Sequence, residues 1–234
     1  MTRIVNNCVA LVCLCLFWGQ SLRAADASHS EQIKWGNESV FNEEHNTLGL
    51  FSGVLGGQIV LAGGTSDDYS RWGRNAVCLS ENAGFALYED VLSKPLAYGA
   101  SITLSDGILC IGGRDSSQCY EDVFFVTMQQ GKLNVSEDWP PLPFPLSNAA
   151  GALLDNKVYL FGGRKSVSPS RLSDSFFVLD LSNKSRGWKE LPGYPGCVRE
   201  DAILVVQNNG VSPCLYLLGG QTETEEGLSS CLTD

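Results

Sequence analysis

Histidine is almost absent from this chain of 234 residues, which contains only His29 and His45. Both lie in the polar N-terminal region, so the sequence offers no cluster of imidazoles that could bind a metal ion. A histidine-ligated zinc or copper centre and a Ser-His-Asp triad are therefore excluded as the basis of function. We expect a protein that works without a cofactor or a metal site.

Positive charge is also scarce, because 16 lysine and arginine residues stand against 26 aspartate and glutamate residues. The resulting net charge of −10 disfavours contact with a phosphate backbone, which proteins bind through clustered lysine and arginine side chains. We therefore expect no nucleic-acid partner.

The chain has no apolar run long enough to span a membrane. The N-terminal apolar stretch covers residues 8–18, which is about half of the roughly 20 residues that a spanning helix requires. The basic Arg3 precedes this stretch, and the small residues Ala24 and Ala25 follow it, as in a cleaved export signal. We interpret residues 1–25 as a signal peptide rather than a transmembrane anchor, and we expect a periplasmic or secreted protein.

Cysteine is more frequent, with nine residues in the chain, three of which lie in the signal. An exported protein meets an oxidising compartment, so disulfides can form, but the sequence does not determine their pairing. Cys110 and Cys214 fall within apolar runs, and we expect them to be buried packing residues. The six cysteines beyond the signal are Cys78, Cys110, Cys119, Cys197, Cys214 and Cys231.

Glycine pairs recur along the chain, each at the end of an apolar run: "GQIVLAGG", "DGILCIGG", "DNKVYLFGG" and "PCLYLLGG". Glycine is costly inside a strand because it packs nothing and loses much backbone entropy on folding. The first glycines of the pairs are Gly63, Gly112, Gly162 and Gly219, a spacing of about 50 residues. The chain is therefore built from structural repeats.

Each repeat predicts a small antiparallel sheet. Two short strands flank a tight turn, a third strand follows at residues 122–128 or 174–181, and a tryptophan comes later, at Trp139 or Trp188. Four strands, a glycine pair and a spaced tryptophan in about 50 residues are typical of the kelch repeat. We predict an all-β fold, a kelch-type β-propeller over residues 26–234, in which the glycines let neighbouring blades approach closely. The repeats cover about residues 48–95, 97–140, 148–192 and 197–234.

The number of repeats is smaller than in a typical closed kelch propeller, which has six or seven blades. The fourth repeat has no third apolar strand after its glycine pair. A short strand predicted at residues 32–41 would supply the last strand of the final blade. We therefore expect about four of six blades, as in a truncated product or a fragment.

Several motifs in this order resemble one family of exported kelch propellers. The segments "PLAYGASITLSDGILCIGG", "PPLPFPLSNAAGALLDNKVYLFGG" and "GWKELPGYPGCVREDAILVV" are similar to the N-acetylneuraminate epimerase, or sialic acid mutarotase, family, in particular to its cyclically permuted branch. The similarity covers most of residues 48–220. It implies a six-bladed propeller that interconverts the α and β anomers of N-acetylneuraminate, and therefore an isomerase with an acidic sugar as its substrate.

The catalytic residues do not transfer to this chain. In the family, a Glu followed six residues later by Arg, just after a second strand, has been proposed to carry the acid/base chemistry. The four loops that follow the glycine pairs lack this pattern, so we assign no catalytic residue and expect that, without this pair, the chain by itself does not accelerate mutarotation. These loops begin at Thr65, Arg114, Arg164 and Gln221.

Pocket-lining residues can be proposed from the architecture. Loops after second strands and loops before first strands share one face of a kelch propeller, and we expect five of their residues to bind the sugar: Arg114, Arg164, Tyr98, Asn148 and Arg199.

Arg199 is the strongest of these candidates, because Val198-Arg199-Glu200 occupies the position of a Pro-Arg-Asp type element in the family. The alternative function is a non-catalytic kelch module that binds a protein or a glycan on the same loop face.

Overall fold

A computed structural model of the chain describes residues 48–80, 84–223 and 229–231. The predicted signal peptide and the predicted strand at residues 32–41 lie outside the described residues. The described part is almost entirely β-structure, with one short 3-10 helix at Leu181–Arg186. None of its helices has the length and apolarity needed to cross a membrane.

Two consecutive four-stranded antiparallel sheets form the first two blades, with strands in sequence order. Blade 1 contains β1 (Phe51–Leu55), β2 (Gln58–Ala62), β3 (Ala76–Ser80) and β4 (Gly84–Tyr88). Blade 2 contains β5 (Ala100–Thr103), β6 (Ile108–Ile111), β7 (Val123–Gln129) and β8 (Lys132–Ser136).

Blade 3 has the same topology, but a small two-stranded hairpin interrupts it after the second strand. Its strands are β9 (Ala150–Leu154), β10 (Lys157–Phe161), β13 (Phe176–Asp180) and β14 (Lys189–Leu191). The inserted hairpin consists of β11 (Arg164–Ser166) and β12 (Arg171–Leu172).

The fourth repeat forms only the two inner strands of a blade, β15 (Ile203–Asn208) and β16 (Pro213–Leu218). A separate hairpin follows, made of β17 (Gln221–Glu223) and β18 (Ser229–Cys231). In the described part of the chain, β16 pairs with β15 alone. One face of this two-stranded sheet packs against blade 3, and the other exposes four apolar side chains: Ile203, Val205, Tyr216 and Leu218.

The predicted tight turns explain how the inner hairpins form. Between β9 and β10, Asp155 and Asn156 have φ values of 49° and 59°. Two successive residues with positive φ produce a turn whose twist matches that of the flanking strands, and Asp and Asn tolerate this conformation better than most residues. The turn fixes the register, so that Lys157 lies opposite Leu154.

The inner strands β1, β5, β9 and β15 lie side by side and bring successive blades together. The backbone N–H groups of Ser52 and Val54 on β1 donate to the hydroxyl oxygens of Ser101 and Thr103 on β5, at 3.0 and 3.2 Å. Short polar side chains on an inner strand can therefore satisfy backbone groups of the preceding blade.

The glycine pairs join one blade to the next. The N–H of Gly113 donates to the carbonyl oxygen of Leu146 at 2.8 Å, and Gly64 and Gly163 make the equivalent bonds to the carbonyls of Leu96 and Arg199 at 2.9 Å. The first three pairs are buried, in keeping with the predicted close approach of neighbouring blades, whereas Gly219 and Gly220 are only half-buried. The described residues contain no fifth blade to cover this last pair.

The core lies between the blades. Blades 2 and 3 enclose a cluster that includes Leu109, Leu160 and Phe177, and both predicted tryptophans, Trp139 and Trp188, pack against it. The indole N–H of Trp188 also donates to the carbonyl oxygen of Pro140 at 3.0 Å. The tryptophans of the repeat pattern therefore fill the space between blades.

The cysteines confirm one of two burial predictions. Cys110 is buried on β6, whereas Cys214 on β16 is only half-buried. The prediction for Cys214 is wrong because the fourth repeat is covered on one face only, so its strand positions lie closer to solvent than the equivalent positions of blade 2.

Candidate functional site

Four residues occupy equivalent positions at one end of the inner strands. Each lies two positions before the first strand of its blade. All four have left-handed backbone conformations, with φ between 54° and 64°. We call this set the axial relay, because three hydrogen bonds of 2.7, 2.7 and 3.0 Å run from the N–H of the second, third and fourth members to the carbonyl of the member before. The members of the axial relay are Gly49, Tyr98, Asn148 and Asp201.

A second set of residues follows the glycine pairs and lies beside the axial relay. Arg114 exchanges two backbone hydrogen bonds with Ala97, and Arg164 does the same with Ser147. In the fourth repeat, Gln221 and Glu200 form the equivalent bridge. The two kinds of loop that we expected to share one face are therefore joined by their backbones.

Arg114 lies among three aromatic rings. Its guanidinium carbon is 4.7 Å from the ring centroid of Tyr98, 5.0 Å from that of Trp72 and 6.0 Å from that of Tyr69. One guanidinium N–H donates to the carbonyl oxygen of Asp115 at 3.4 Å. Within the described ranges, no carboxylate lies at ion-pair distance from Arg114. The cation is therefore held by ring faces rather than by a counter-ion.

The loop after β2 positions two of these rings. The hydroxyl of Thr65 donates to the carbonyl oxygen of Arg71 at 2.7 Å, and the N–H of Arg71 donates to the hydroxyl oxygen of Ser66 at 3.0 Å. The indole N–H of Trp72 donates to the carbonyl oxygen of Tyr69 at 3.1 Å. These bonds close the loop on itself and hold both rings toward Arg114.

Tyr98 contributes from the axial relay itself. Its ring stacks on that of Tyr69, with centroids 6.5 Å apart and an interplanar angle of 20°. Burial raises the pKa of the Tyr98 phenol, and a hydrogen bond with Tyr69 raises it further. Tyr98 is therefore a neutral phenol at physiological pH.

Arg164 has a different electrostatic environment from Arg114. Its guanidinium makes two hydrogen bonds to the Glu200 carboxylate, one of them from Nε to Oε2 at 2.8 Å, and also lies 3.5 Å from Glu223. Its side chain is 20% exposed and that of Glu200 only 8%. The hydrogen bonds from Arg164 to Glu200 raise the pKa of Arg164. This arginine joins blade 3 to the fourth repeat and already has anionic partners.

Asn148 and Asp201 face one another across neighbouring blades. The side-chain N–H of Asn148 donates to Asp201 Oδ1 at 2.8 Å. Asp201 is exposed to solvent, and partial desolvation by the surrounding protein raises the pKa of its carboxyl. Asn148 and the charges of Arg164 and Arg114 lower that pKa, whereas the charge of Glu200 raises it further.

Arg199 is placed differently from the other four predicted residues. It is 2% exposed, and its guanidinium donates to the carbonyl oxygen of Gly219 at 2.9 Å. Its own carbonyl accepts the hydrogen bond of a glycine pair, as the carbonyls of Leu96 and Leu146 do. Arg199 thus occupies a buried leucine position of the repeat. Its role as a sugar ligand stays a prediction, and the geometry assigns it packing and backbone contacts.

The structure brings Arg114, Tyr98, Arg164 and Asn148 to one face and adds residues that the sequence reasoning missed. Asp201 could have been found by aligning the repeats on their first strands instead of on Arg199. That alignment places Asp201 in register with Tyr98 and Asn148. The contact of Glu200 with Arg164 had no local signal, because 36 residues separate the two. The missed residues are Tyr69, Trp72, Glu200, Asp201 and Glu223.

Comparisons with known proteins agree with the architecture. The family model of the Kelch motif matches residues 145–192. The solved structure described as "Structure of YjhT", a kelch β-propeller, aligns with a TM-score of 0.62 and 14% identity, covering 80% of this chain and 64% of that chain. The predicted fold class is therefore confirmed: the chain is a kelch-type β-propeller with three complete blades and two strands of a fourth in its described part.

Two curated relatives to which this chain is similar are named N-acetylneuraminate epimerase. The protein of Vibrio cholerae serotype O1 is 31% identical over 106 residues, which are 45% of this chain and 25% of that protein. The protein of Haemophilus influenzae (strain PittEE) is 29% identical over 99 residues, 42% of this chain and 24% of that protein. The chain thus matches about a quarter of the length of these relatives.

Proposed function

We propose that the face around the axial relay binds N-acetylneuraminate or a related acidic sugar, and that the protein interconverts the α and β anomers of this sugar. The observation that carries the proposal is Arg114, which is surrounded by aromatic rings and has no carboxylate partner among the described residues. The names of the curated relatives support the same substrate class.

The chemistry of Arg114 suits an acidic sugar. A guanidinium can bind a carboxylate through two parallel N–H groups, and it does so most strongly where water is partly excluded. Tyr69, Trp72 and Tyr98 provide apolar ring faces next to this cation, against which the C–H groups of a sugar ring can pack. Arg164 is less suited, since an incoming carboxylate would compete with Glu200.

A titration with N-acetylneuraminate tests the binding step. We expect Arg114→Ala to weaken binding at least tenfold, and Arg114→Lys to weaken it by a smaller factor because the charge is kept but the planar guanidinium is lost. Arg74→Ala is the matched control, since Arg74 pairs with Asp90 in an exposed contact outside the aromatic cluster. Equal affinity of the parent chain and Arg114→Ala would refute the proposed site.

The second candidate function is a non-catalytic module that binds a protein or a glycan on this face. It is favoured by one observation: none of the loops after the glycine pairs has Glu with Arg six residues on. NMR monitoring of freshly released α-anomer, with and without the protein, discriminates the two. Acceleration of mutarotation supports the isomerase, whereas binding of the sugar without acceleration supports the binding module.

We further propose that the protein is exported and that residues 1–25 are removed. Arg3, the apolar stretch of residues 8–18 and the pair of alanines at 24 and 25 support this assignment. Mass spectrometry of periplasmic or secreted material should find an N-terminus near Ala25 or Asp26. An intact Met1 in the cytosolic fraction would refute export.

A further inference from the structure

The axial relay places different side chains at equivalent points of one face, and Asp201 contributes a carboxylate there. The N–H of Asp201 donates to the carbonyl oxygen of Asn148 at 3.0 Å, while the Asn148 side chain donates back to Asp201 Oδ1 at 2.8 Å. These two contacts fix both the backbone and the carboxylate. Asp201 Oδ2 accepts no hydrogen bond from the described residues, so it is the oxygen that can contact a ligand.

Other carboxylates of this face are already engaged. Glu200 is 6% exposed and is bound through both of its oxygens to Arg164. Asp115 accepts hydrogen bonds from the Tyr120 hydroxyl and from Ser117 and Gln118. Burial alone would raise the pKa of Asp115, but these hydrogen bonds outweigh it and lower the pKa to about 2. Neither carboxylate is suited to exchanging protons with a ligand near neutral pH.

The charges near Asp201 come from two neighbouring loops and from its own segment. Arg114 and Arg164 lie close enough to favour its ionised form, and Glu200 opposes it. The same Arg114 is the proposed carboxylate ligand of the sugar. A sugar held by Arg114 therefore lies within the electrostatic reach of Asp201, on the same face of the propeller.

We propose that Asp201 transfers the proton of the anomeric hydroxyl of the bound acidic sugar and that Asn148 is the positioning residue that orients it. This inference rests on the proposed function, because it assumes that the acidic sugar binds at Arg114. It assigns the acid/base role to a residue outside the loops that follow the glycine pairs.

The reaction balances without an oxidant, a reductant or a co-reactant other than water. Asp201 accepts the anomeric hydroxyl proton while the bond between the anomeric carbon and the ring oxygen breaks. The electron pair of that bond stays on the ring oxygen, which takes a proton from water, and an open-chain ketone forms. After rotation about the adjacent carbon–carbon bond, the freed hydroxyl adds to the opposite face of the ketone, and its proton goes to the hydroxide ion left in the previous step, which restores the water. Asp201 then returns its proton to the new anomeric oxygen.

Asp201→Asn is a well-matched test of this role. Asparagine has nearly the same shape, tolerates the φ of +54°, and retains a carbonyl oxygen for the Asn148 side chain. The variant should therefore fold normally, which circular dichroism and thermal unfolding can verify. Asp106→Asn is the control, since Asp106 lies in the exposed turn between β5 and β6, outside the proposed site.

The assay follows mutarotation of freshly released α-N-acetylneuraminate by NMR, with affinity for the equilibrated sugar measured in parallel. We expect Asp201→Asn to lose about 10²- to 10⁴-fold of the acceleration while its affinity changes less than about threefold. Asn148→Ala should lower the rate and shift its pH profile, because the carboxylate loses the hydrogen bond that lowers its pKa. Asp106→Asn should match the parent chain.

Three possible results would overturn the proposed role of Asp201. Acceleration by the parent chain that persists in Asp201→Asn would overturn the role of Asp201 and leave the proposed function intact. Sugar binding without acceleration by the parent chain would also overturn it, in favour of the binding module. The absence of sugar binding would overturn the proposed function together with this inference.

Discussion

The N–H of Gly113 donates to the carbonyl oxygen of Leu146, and the same carbonyl oxygen lies 2.2 Å from the point where a Cβ on Gly112 would stand. The glycine pair therefore has two separate tasks. Gly113 joins blade 2 to the chain that enters blade 3, and Gly112 provides the space that lets this carbonyl approach. Gly112 also has a φ of 62°, which L side chains rarely adopt.

We expect Gly112→Ala to lower the free energy of unfolding by about 3 kcal/mol or more, since it adds steric overlap to backbone strain. Gly131→Ala is the matched control, because Gly131 has a φ of 74° but no heavy atom within 4 Å of the added Cβ. The control should cost about 1 kcal/mol, from backbone strain alone. Urea unfolding measures both values, and equal losses would contradict the close-approach argument.

The ion pair between Arg164 and Glu200 should contribute to stability because both side chains are largely buried. We expect Glu200→Gln to cost about 2–4 kcal/mol, since the guanidinium keeps Glu223 as its remaining anionic partner. The comparison variant is Asp90→Asn, which breaks the exposed pair with Arg74 and should cost less than about 1 kcal/mol. Similar costs in chemical unfolding would show that burial does not distinguish the pairs.

The loop that carries Tyr69 and Trp72 should be sensitive to acid. A hydrogen bond from the Ser66 hydroxyl, with further bonds from the N–H and hydroxyl of Ser70, lowers the pKa of Asp68 from 3.8 to about 2. Because the folded-state pKa is depressed, the ionised form stabilises the loop above about pH 4, and this contribution is lost as the pH falls toward 2.

NMR of the Trp72 indole N–H between pH 5 and 2 should therefore show the loop contacts weakening in the parent chain. In Asp68→Asn this pH-dependent change should be smaller, because the side chain no longer titrates. An identical titration in both proteins would exclude Asp68 as the responsible group.

Arg199→Leu separates packing from sugar binding at the strongest candidate of the sequence analysis. Leucine occupies the equivalent positions 96 and 146, so we expect the variant to fold and to be more stable than Arg199→Ala. Its affinity for N-acetylneuraminate should change less than that of Arg114→Ala, because the Arg199 guanidinium donates to backbone carbonyls. A folded Arg199→Leu variant that no longer binds the sugar would instead support the predicted ligand role.

The blade architecture could be predicted from the sequence because the physical requirements repeat. Glycine pairs, tight turns and tryptophans each satisfy a local need that recurs in every blade, and their regular spacing identifies the unit. The positions of Arg114 and Asn148 followed from the same regularity. A site residue could be predicted when it occupies the same position in each repeat.

The remaining part of the site depends on contacts between distant segments. The ion pair of Arg164 with Glu200 joins two repeats, and the rings of Tyr69 and Trp72 reach Arg114 from the preceding blade. Arg199 shows why charge alone misleads. A basic residue in a loop suggests a ligand, but the equivalent positions 96 and 146 are buried, as Arg199 itself is, and burial forces the guanidinium to bond with backbone oxygens.

The axial relay is built entirely from backbone N–H and carbonyl groups, so its hydrogen bonds do not depend on which side chain a position carries. The same geometry holds glycine, a phenol, an amide and a carboxylate at successive blades. Asparagine and aspartate tolerate a left-handed backbone, so either residue suits positions 148 and 201. Gly49 differs, because a Cβ there would lie 2.8 Å from the Tyr98 ring. Positions 148 and 201 are therefore the places in the relay where protein engineering can introduce a new recognition group without redesign of the sheets.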